Sequence, residues 1–306
     1  MPNPIVARNG FKTRAFGPVA NRYNTVNNCC ELDRKSRPPQ DLAVRVICIG
    51  AHPDDCEIEF GGTAAKMAER GDAVKFVSVT NGEAGHHLHP GEELARIRRA
   101  EAQDAACRLS ISEAEVLGNR DGQVLPSIAA RNEILRQIRT WEADLVITHR
   151  TWDYHQDHRY TGQLVQDSAY LVMVPYICPE TPALRRNPVF MYFEDSFRLP
   201  VPFRTDLAVN IDDSWERKLD ALDAHQSQVY EWLPWLNGEQ PPRDAEARRV
   251  WLATSWNRDP SMCTQAALAR RYGAGSAARM RHAEAFQISE YGRQISAEEL
   301  DELFPR

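Results

Sequence analysis

Residues 43–55 read AVRVICIGAHPDD, and this stretch decides the fold. Residues 43–51 are a short run of mostly apolar and β-branched residues, which is typical of a strand buried on both faces. A histidine, a proline and two aspartates follow at once. Ligands of parallel α/β sheets bind at the carboxyl ends of the strands, so His52, Asp54 and Asp55 lie where a site is expected.

Buried strands and helices continue to alternate further along the chain. This alternation predicts an α/β fold that is Rossmann-like, with a mainly parallel sheet and helices on both faces. The predicted strands after the first are 74–79, 116–117 and 144–148. The predicted helices are 63–70, 90–109, 128–138 and 161–173.

The pattern becomes less regular from about residue 185, which predicts a C-terminal α/β extension of the same domain. Strands are predicted at 189–193 and 207–211, and further helices near 245–255 and 264–272. Asp213 with Glu216 has the spacing of a capping box, so a helix is predicted to begin there.

The organisation predicted from these patterns is an N-terminal extension, residues 1–42, followed by one domain over residues 43–306. The extension is richer in arginine and lysine than in acidic residues, and it ends at Pro38-Pro39. We interpret it as a flexible or partner-docked arm, with a targeting arm as the alternative.

Composition excludes several classes of function. The formal net charge is -6, which provides no basic field for nucleic acid or for an anionic membrane. No apolar run reaches the roughly 18 residues of a membrane span, and the N-terminus lacks the apolar core of a secretory signal. The 7 cysteines form no CxxC pair and their number is odd. Reduced thiols and a cytoplasmic location are therefore predicted.

A second polar segment, residues 153–158 (DYHQDH), follows the fourth predicted strand. His155 and His158 are three residues apart, so on the first turn of a helix they face the same side. Either polar segment alone is compatible with a turn or a helix cap. Together, at one edge of the sheet, they predict a metal site, and catalytic zinc takes three protein ligands and one water.

These two segments, with several others in the same order, resemble the PIG-L/LmbE deacetylase family over about residues 45–290. The matching segments are 52–55 with Glu57 and 61–63, 80–85, Arg98 with Glu101, 121–122 and 155–158, and more weakly 224–228 and 283–286. The resemblance implies a Rossmann-like fold and one Zn²⁺ per chain. It also implies an N-acylated amino sugar as the small-molecule substrate.

The resemblance implies roles for individual residues by position. The implied zinc ligands are His52, Asp55 and His158. Asp54 matches the general base and His155 the histidine that assists the tetrahedral intermediate. The positions that match sugar-contacting residues are Glu83, Arg98 and Asp121. The chemistry agrees, because zinc lowers the pKa of bound water and a neighbouring carboxylate can accept its proton.

Several of these positions have a second interpretation. Arg98 and Glu101 are also compatible with an ion pair on a solvated helix, and residues 121–122 with a simple turn. The loop histidines His86, His87 and His89 indicate surface or substrate contacts, with a second metal as the alternative. We expect His225 to be a hydrogen-bonded packing residue. For the tryptophans at 232, 235, 251 and 256 we expect core packing or an oligomer interface rather than sugar stacking.

The sequence therefore predicts a zinc-dependent N-deacetylase that removes an acyl group, acetyl in the simplest case, from an amino sugar. A metal-dependent hydrolase of a non-sugar amide and a non-catalytic sugar-binding relic are the alternatives. A nucleotide-dependent oxidoreductase is disfavoured because no GxGxxG follows the first strand. Whether the chain forms a homo-oligomer stays open.

Overall fold

A computed structural model describes residues 43–89, 91–257 and 259–306. The predicted N-terminal extension lies outside the described residues, as does Pro90. Among the residues described, no helix is long and apolar enough to cross a membrane.

The described residues build a mixed sheet of seven strands, in the order β3-β2-β1-β4-β5-β7-β6. The strands are β1 Arg45–Gly50, β2 Ala73–Thr80, β3 Glu113–Asn119, β4 Leu145–Thr148, β5 Val189–Phe193, β6 Leu207–Asn210 and β7 Ala283–Gly292. The first five are mutually parallel, whereas β7 pairs antiparallel with both β5 and β6. The predicted α/β class with a mainly parallel sheet is confirmed.

Helices cover both faces of the sheet. They are α1 Asp55–Arg70, α2 Glu92–Leu109, α3 Ile128–Thr140, α4 Gln156–Leu171, α5 Trp215–Ala224, α6 Leu233–Asn237, α7 Ala245–Trp256, α8 Met262–Tyr272, α9 Ala274–Ala277 and α10 Ala297–Leu303, with a π-helix at Ser227–Trp232. One apolar core lies under α1, α2 and α5, and a second lies under α3 and α4. Alternate residues of β1 contribute to each core, which explains why this strand is apolar throughout.

Helix α1 begins eight residues earlier than predicted, at Asp55 rather than at residue 63. Gly61 and Gly62 therefore lie inside the helix and not in a loop before it. A Cβ atom on Gly62 would stand 2.7 Å from Ile211 Cδ1, so glycine is needed here for close packing against the residue after β6. The early start places Asp55 in the first helical turn.

Two other local predictions are wrong. The N-cap of α5 is Ser214 without a side-chain hydrogen bond, and the Asp213 carboxylate instead binds Lys66 Nζ at 2.9 Å. A capping box does occur, but at Ser296 and Glu299 of α10. Strand β7 was not predicted as a strand, although it holds β5 and β6 in one sheet.

Candidate functional site

The two polar segments meet at the carboxyl edge of the parallel strands. His52 follows β1, and His158 lies in the first turn of α4. His52 Nδ1 lies 3.1 Å from His158 Nε2. Oδ2 of Asp55 is 3.6 Å from His52 Nδ1, and Oδ1 of Asp55 is 3.4 Å from His158 Nε2. The structure thus brings together the three side chains that the resemblance marked as ligands.

The Asp55 carboxylate organises the turn between β1 and α1. Its Oδ2 accepts hydrogen bonds from Ala51 N at 2.8 Å and His52 N at 2.7 Å, and it lies 3.1 Å from His149 Nε2. The same His149 Nε2 also lies 3.2 Å from Ala51 N, so this nitrogen faces both a backbone N–H and the Asp55 carboxylate. These three groups occupy Oδ2 and leave Oδ1 facing His158.

His149 was not singled out from the sequence. It is buried, its ring stacks on that of His158 with centroids 4.2 Å apart, and it follows β4 directly. The position after a parallel strand is the signal that could have identified it, since the same argument identified His52.

Further carboxylates bind the outward nitrogens of His52 and His158. His52 Nε2 lies 3.2 Å from Asp121 Oδ1 and 3.4 Å from Asp157 Oδ2, and His158 Nδ1 lies 3.1 Å from Asp153 Oδ1. A neutral imidazole has one N–H, and these carboxylates would accept a hydrogen bond from it on the outward side. When both rings are neutral and donate outward, the two nitrogens that face each other would both present lone pairs.

The buried charges shift one another's pKa values. Burial alone would lower the pKa of His52, but the hydrogen bonds with Asp121 and Asp157 raise it well above its usual range. Burial would raise the pKa of Asp55, but His158 and His149 hold it well below its usual range. Burial would lower the pKa of His158, yet Asp55 and Asp153 raise it. The cluster is thus strongly polarised, with anionic carboxylates around imidazoles that attract positive charge.

Asp54 stands at the N-cap of α1 in a strained backbone conformation, with φ 145° and ψ -26°. Such a φ is rare for a residue other than glycine and costs about 1–3 kcal/mol where it occurs. The side chain is buried, and burial together with the charge of Asp55 raises the pKa of Asp54 to about 6, against the opposing effects of Arg98 and His225. Strain of this kind is common at functional sites.

His155 caps the N-terminus of α4. Its Nδ1 accepts a hydrogen bond from Asp157 N at 3.1 Å, so the proton of the neutral ring is on Nε2. The ring centroid lies 4.6 Å from that of His52 and 5.1 Å from that of His158. Burial lowers the pKa of His155, and the neighbouring His52 and His158 lower it further. The side chain is therefore a neutral N–H donor beside the two other imidazoles.

The predicted substrate-contacting residues lie at the ends of β2 and β3 or reach that edge from α2. Arg98 is buried and donates to Gly85 O at 2.6 Å and to Gln228 Oε1. Glu101 is also buried and accepts from Ser227 N and Oγ, so the interpretation of these two residues as a solvated helix pair is wrong. Glu83 binds Arg120 Nε at 2.5 Å. The sugar contacts of Glu83, Arg98 and Asp121 stay predictions.

A buried ion pair lies beneath this edge. His225 Nε2 is 3.3 Å from Glu57 Oε1, and both side chains are buried. Burial would lower the pKa of His225, but Glu57 raises it, and Asp54 adds to the effect. His225 directly follows α5 and is a buried packing residue, as predicted, but the expected hydrogen bond is not formed, and Glu57 faces it as an ion-pair partner instead.

The three loop histidines after β2 form a stack with the tryptophans of the C-terminal part. His86 stacks on His87, His87 on Trp235, and Trp235 on Trp232. His86 Nε2 binds Glu231 Oε2 at 3.0 Å, while its Nδ1 accepts from the backbone N–H groups of residues 88 and 89. Trp251 and Trp256 pack against a buried cluster, which fits the expected core packing.

Comparison with known proteins gives relatives of the same fold. The model of the PIG-L family, described as GlcNAc-PI de-N-acetylase, matches residues 47–169. Diacetylchitobiose deacetylase of Thermococcus kodakarensis is 29% identical over 220 residues, which is 67% of this chain and 80% of that protein. N,N'-diacetylchitobiose deacetylase from Pyrococcus horikoshii superposes with a TM-score of 0.60 at 27% identity, covering 80% of this chain and 83% of that one. The resemblance to the PIG-L family is confirmed.

The relatives do not all share one reaction. 4-Oxalmesaconate hydratase of Pseudomonas putida is 25% identical over 211 residues, which is 66% of this chain and 80% of that protein. The fold therefore supports both deacetylases and a hydratase, so the reaction has to be argued from the site.

The buried pair of His225 and Glu57 gives a prediction about stability. Replacing His225 with phenylalanine leaves the Glu57 carboxylate buried without its partner, and breaking such a pair costs about 3–5 kcal/mol. We expect His225→Phe to lower the free energy of urea unfolding by that order. His282→Phe, at a more exposed histidine stacked on Trp215, should lower it much less.

A double variant separates the charge from the packing. Glu57→Gln with His225→Phe removes both charges, so it should regain part of the stability lost by His225→Phe alone. Strictly additive losses would contradict an ion pair between the two side chains.

Proposed function

We propose that this chain, which carries a PIG-L domain, is a zinc-dependent hydrolase that removes an acyl group from the nitrogen of an amino sugar. The observation that carries the proposal is that His52 Nδ1 and His158 Nε2 lie 3.1 Å apart beside the Asp55 carboxylate. Neutral rings that donate their outward N–H groups to carboxylates would direct both inward lone pairs, together with the anionic oxygen, at a cation bound here.

The donor set fits zinc. Ligand atoms about 2.1 Å from a tetrahedral zinc are about 3.4 Å from one another. Here the two nitrogens are 3.1 Å apart, Asp55 Oδ1 is 3.4 Å from His158 Nε2, and the other oxygen, Oδ2, is 3.6 Å from His52 Nδ1. Two nitrogens and one carboxylate oxygen make the three-ligand set that is typical of catalytic zinc, and the carboxylates on the outward nitrogens supply the usual support. When bound, the ion would acidify a water molecule and polarise the amide carbonyl.

Asp54 is the proposed general base. It precedes Asp55 in the same turn, and its buried carboxyl group is close enough to Asp55 and His52 for their charges to affect its pKa. Its carboxylate accepts the proton of the attacking water and returns it to the amine nitrogen as the C–N bond breaks. Binding a sugar would not require a strained, buried carboxylate beside the ligands, so Asp54 also argues against a non-catalytic relic.

His155 is the proposed donor to the carbonyl oxygen. Because Nδ1 accepts from Asp157 N, the Nε2–H is free for this purpose, and the same tautomer prevents Nε2 from serving as a further metal ligand. Negative charge develops on the carbonyl oxygen when water adds to the carbon, and a positioned N–H stabilises it.

One zinc per chain is proposed, although His86, His89 and Glu231 also lie close together. His86 Nδ1 accepts two backbone N–H groups, so its proton is on Nε2, the nitrogen that faces Glu231. A protonated nitrogen cannot ligate a metal. We infer that this cluster braces the loop after β2.

The sugar is proposed to lie on the side of β2 and β3. The relatives named as deacetylases of chitobiose support an N-acetylated amino sugar as the substrate class. Glu83 and Asp121 lie on that side and would contact or organise hydroxyl groups, and the buried Arg98 would organise the same side through Gly85. Asp121 already binds His52 through Oδ1, so we propose that it acts mainly by orienting this histidine.

Release of free amine tests the proposed reaction. Zinc-loaded protein should liberate amine from at least one member of a panel containing N-acetylglucosamine, its disaccharide and its glycosides. Asp54→Asn should retain zinc and lose about 10²–10⁴-fold in kcat, because it removes the proton acceptor and leaves the ligands. Glu59→Gln, in the same helix, is the matched control and should retain activity.

Three results would contradict this account. Hydration of an unsaturated acid without any amine release would favour the reaction named for the hydratase relative. Near-normal turnover of Asp54→Asn would show that Asp54 is not the base. Loss of zinc in that variant would make it a ligand.

His155→Ala should lower kcat by about 10²–10³-fold and change KM little, because the lost contact forms mainly in the transition state. Metal content, melting temperature and steady-state kinetics should be measured on one preparation. If His155 only caps α4, the variant will lose thermal stability or zinc before it loses turnover. A stable, zinc-replete variant with unchanged kcat would end the assignment.

A further inference from the structure

The side of the site formed by β4 and β5 is apolar, whereas the side formed by β2 and β3 carries charged side chains. The segment after β4 presents Trp152 and Tyr154, and the loop after β5 presents Leu199 and Val201. These four side chains are 41%, 50%, 84% and 53% exposed. We call them the apolar wall. The opposite side offers Glu83, Arg98 and Asp121 instead.

Tyr154 is the residue of the apolar wall that contacts the candidate catalytic groups. The Tyr154 ring contacts His155 edge to face at 5.7 Å and His158 at 5.6 Å between centroids. It also lies 6.3 Å from the Phe197 ring in the loop after β5. Half of the tyrosine surface remains open to solvent next to the group proposed to bind the carbonyl oxygen.

A buried arginine fixes this wall in place. Arg150 binds both carboxylate oxygens of Asp195, at 2.5 and 2.6 Å, and donates to the backbone carbonyls of Phe197 and Val201. A bidentate ion pair with two further hydrogen bonds holds the loop rigidly, so its exposed apolar groups are presented in a fixed arrangement. Exposed apolar surface that is preorganised beside a site is typical of ligand contact.

We propose that the apolar wall receives the acyl chain of the substrate, so that alkyl or aryl acyl groups longer than acetyl bind more tightly than acetyl. This inference rests on the proposed function. The scissile amide lies across the end of β1, with the sugar toward β2 and β3. Its carbonyl oxygen meets His155, so the acyl carbon attached to that carbonyl points toward Tyr154 and the loop after β5. An acetyl group would leave the wall uncovered.

The test compares N-acetylglucosamine with N-hexanoylglucosamine and with the hexyl glycoside of N-acetylglucosamine. N-hexanoylglucosamine should have a KM at least tenfold below that of N-acetylglucosamine. Tenfold corresponds to about 1.4 kcal/mol, the burial of roughly two methylene groups. The Leu199→Ser, Val201→Ser double variant should remove this advantage and leave the kinetics of N-acetylglucosamine unchanged.

Tyr176→Ser is the control, because Tyr176 is 91% exposed and lies beyond the far end of α4. This variant should leave the KM of every substrate unchanged. Equal KM values for the two acyl lengths, a preference confined to the hexyl glycoside, or a preference that survives in the wall variant would each overturn the proposal. If no substrate releases amine, the proposed function fails instead. Calorimetric titration with hexanoate and with acetate then still tests the proposed role of the apolar wall. The wild-type protein should bind hexanoate at least tenfold more tightly than acetate, and the Leu199→Ser, Val201→Ser variant should not.

Discussion

The hydrogen bonds to Asp55 Oδ2 hold the turn on which the candidate site depends. Two backbone N–H groups of that turn, of Ala51 and His52, and the imidazole of His149 all reach this one oxygen. Hydrogen bonds to an ionised carboxylate are stronger than neutral ones, and a buried carboxylate must retain them. The turn therefore closes tightly, and its closure coincides with the strained φ of Asp54 and the early start of α1.

The parallel sheet then determines what surrounds this turn. Because β1 is central, with β2 on one side and β4 on the other, groups of different chemistry converge on His52 from opposite directions. The β2 and β3 side carries buried charge on Arg98 and Asp121, whereas the β4 and β5 side carries aromatic and aliphatic side chains. An amide that joins a polar sugar to a less polar acyl group matches this division.

Much of this arrangement was predictable from the sequence, because apolar strands and polar residues after them have local signatures. The order of residues in 52–55 and 153–158 placed the cluster correctly at one edge. His149 was missed because its position directly after β4 is a weaker signal than the groups of several polar residues in 52–55 and 153–158. The burial of Arg98 and Glu101 depends on Gln228 and Ser227, which are distant in sequence. The start of α1 was predicted too late because Gly61 and Gly62 suggested a loop. Their role is instead close packing of the helix against Ile211, after β6, and against Lys218 in α5.

X-ray diffraction at the zinc absorption edge, from crystals of protein purified without chelators, tests the central claim most directly. The account predicts one anomalous peak per chain, about 2.0–2.2 Å from His52 Nδ1, His158 Nε2 and an oxygen of Asp55. The outward nitrogens should remain bound to Asp121 and Asp153. A peak between His86 and Glu231, or no peak between His52 and His158 after zinc supplementation, would contradict it.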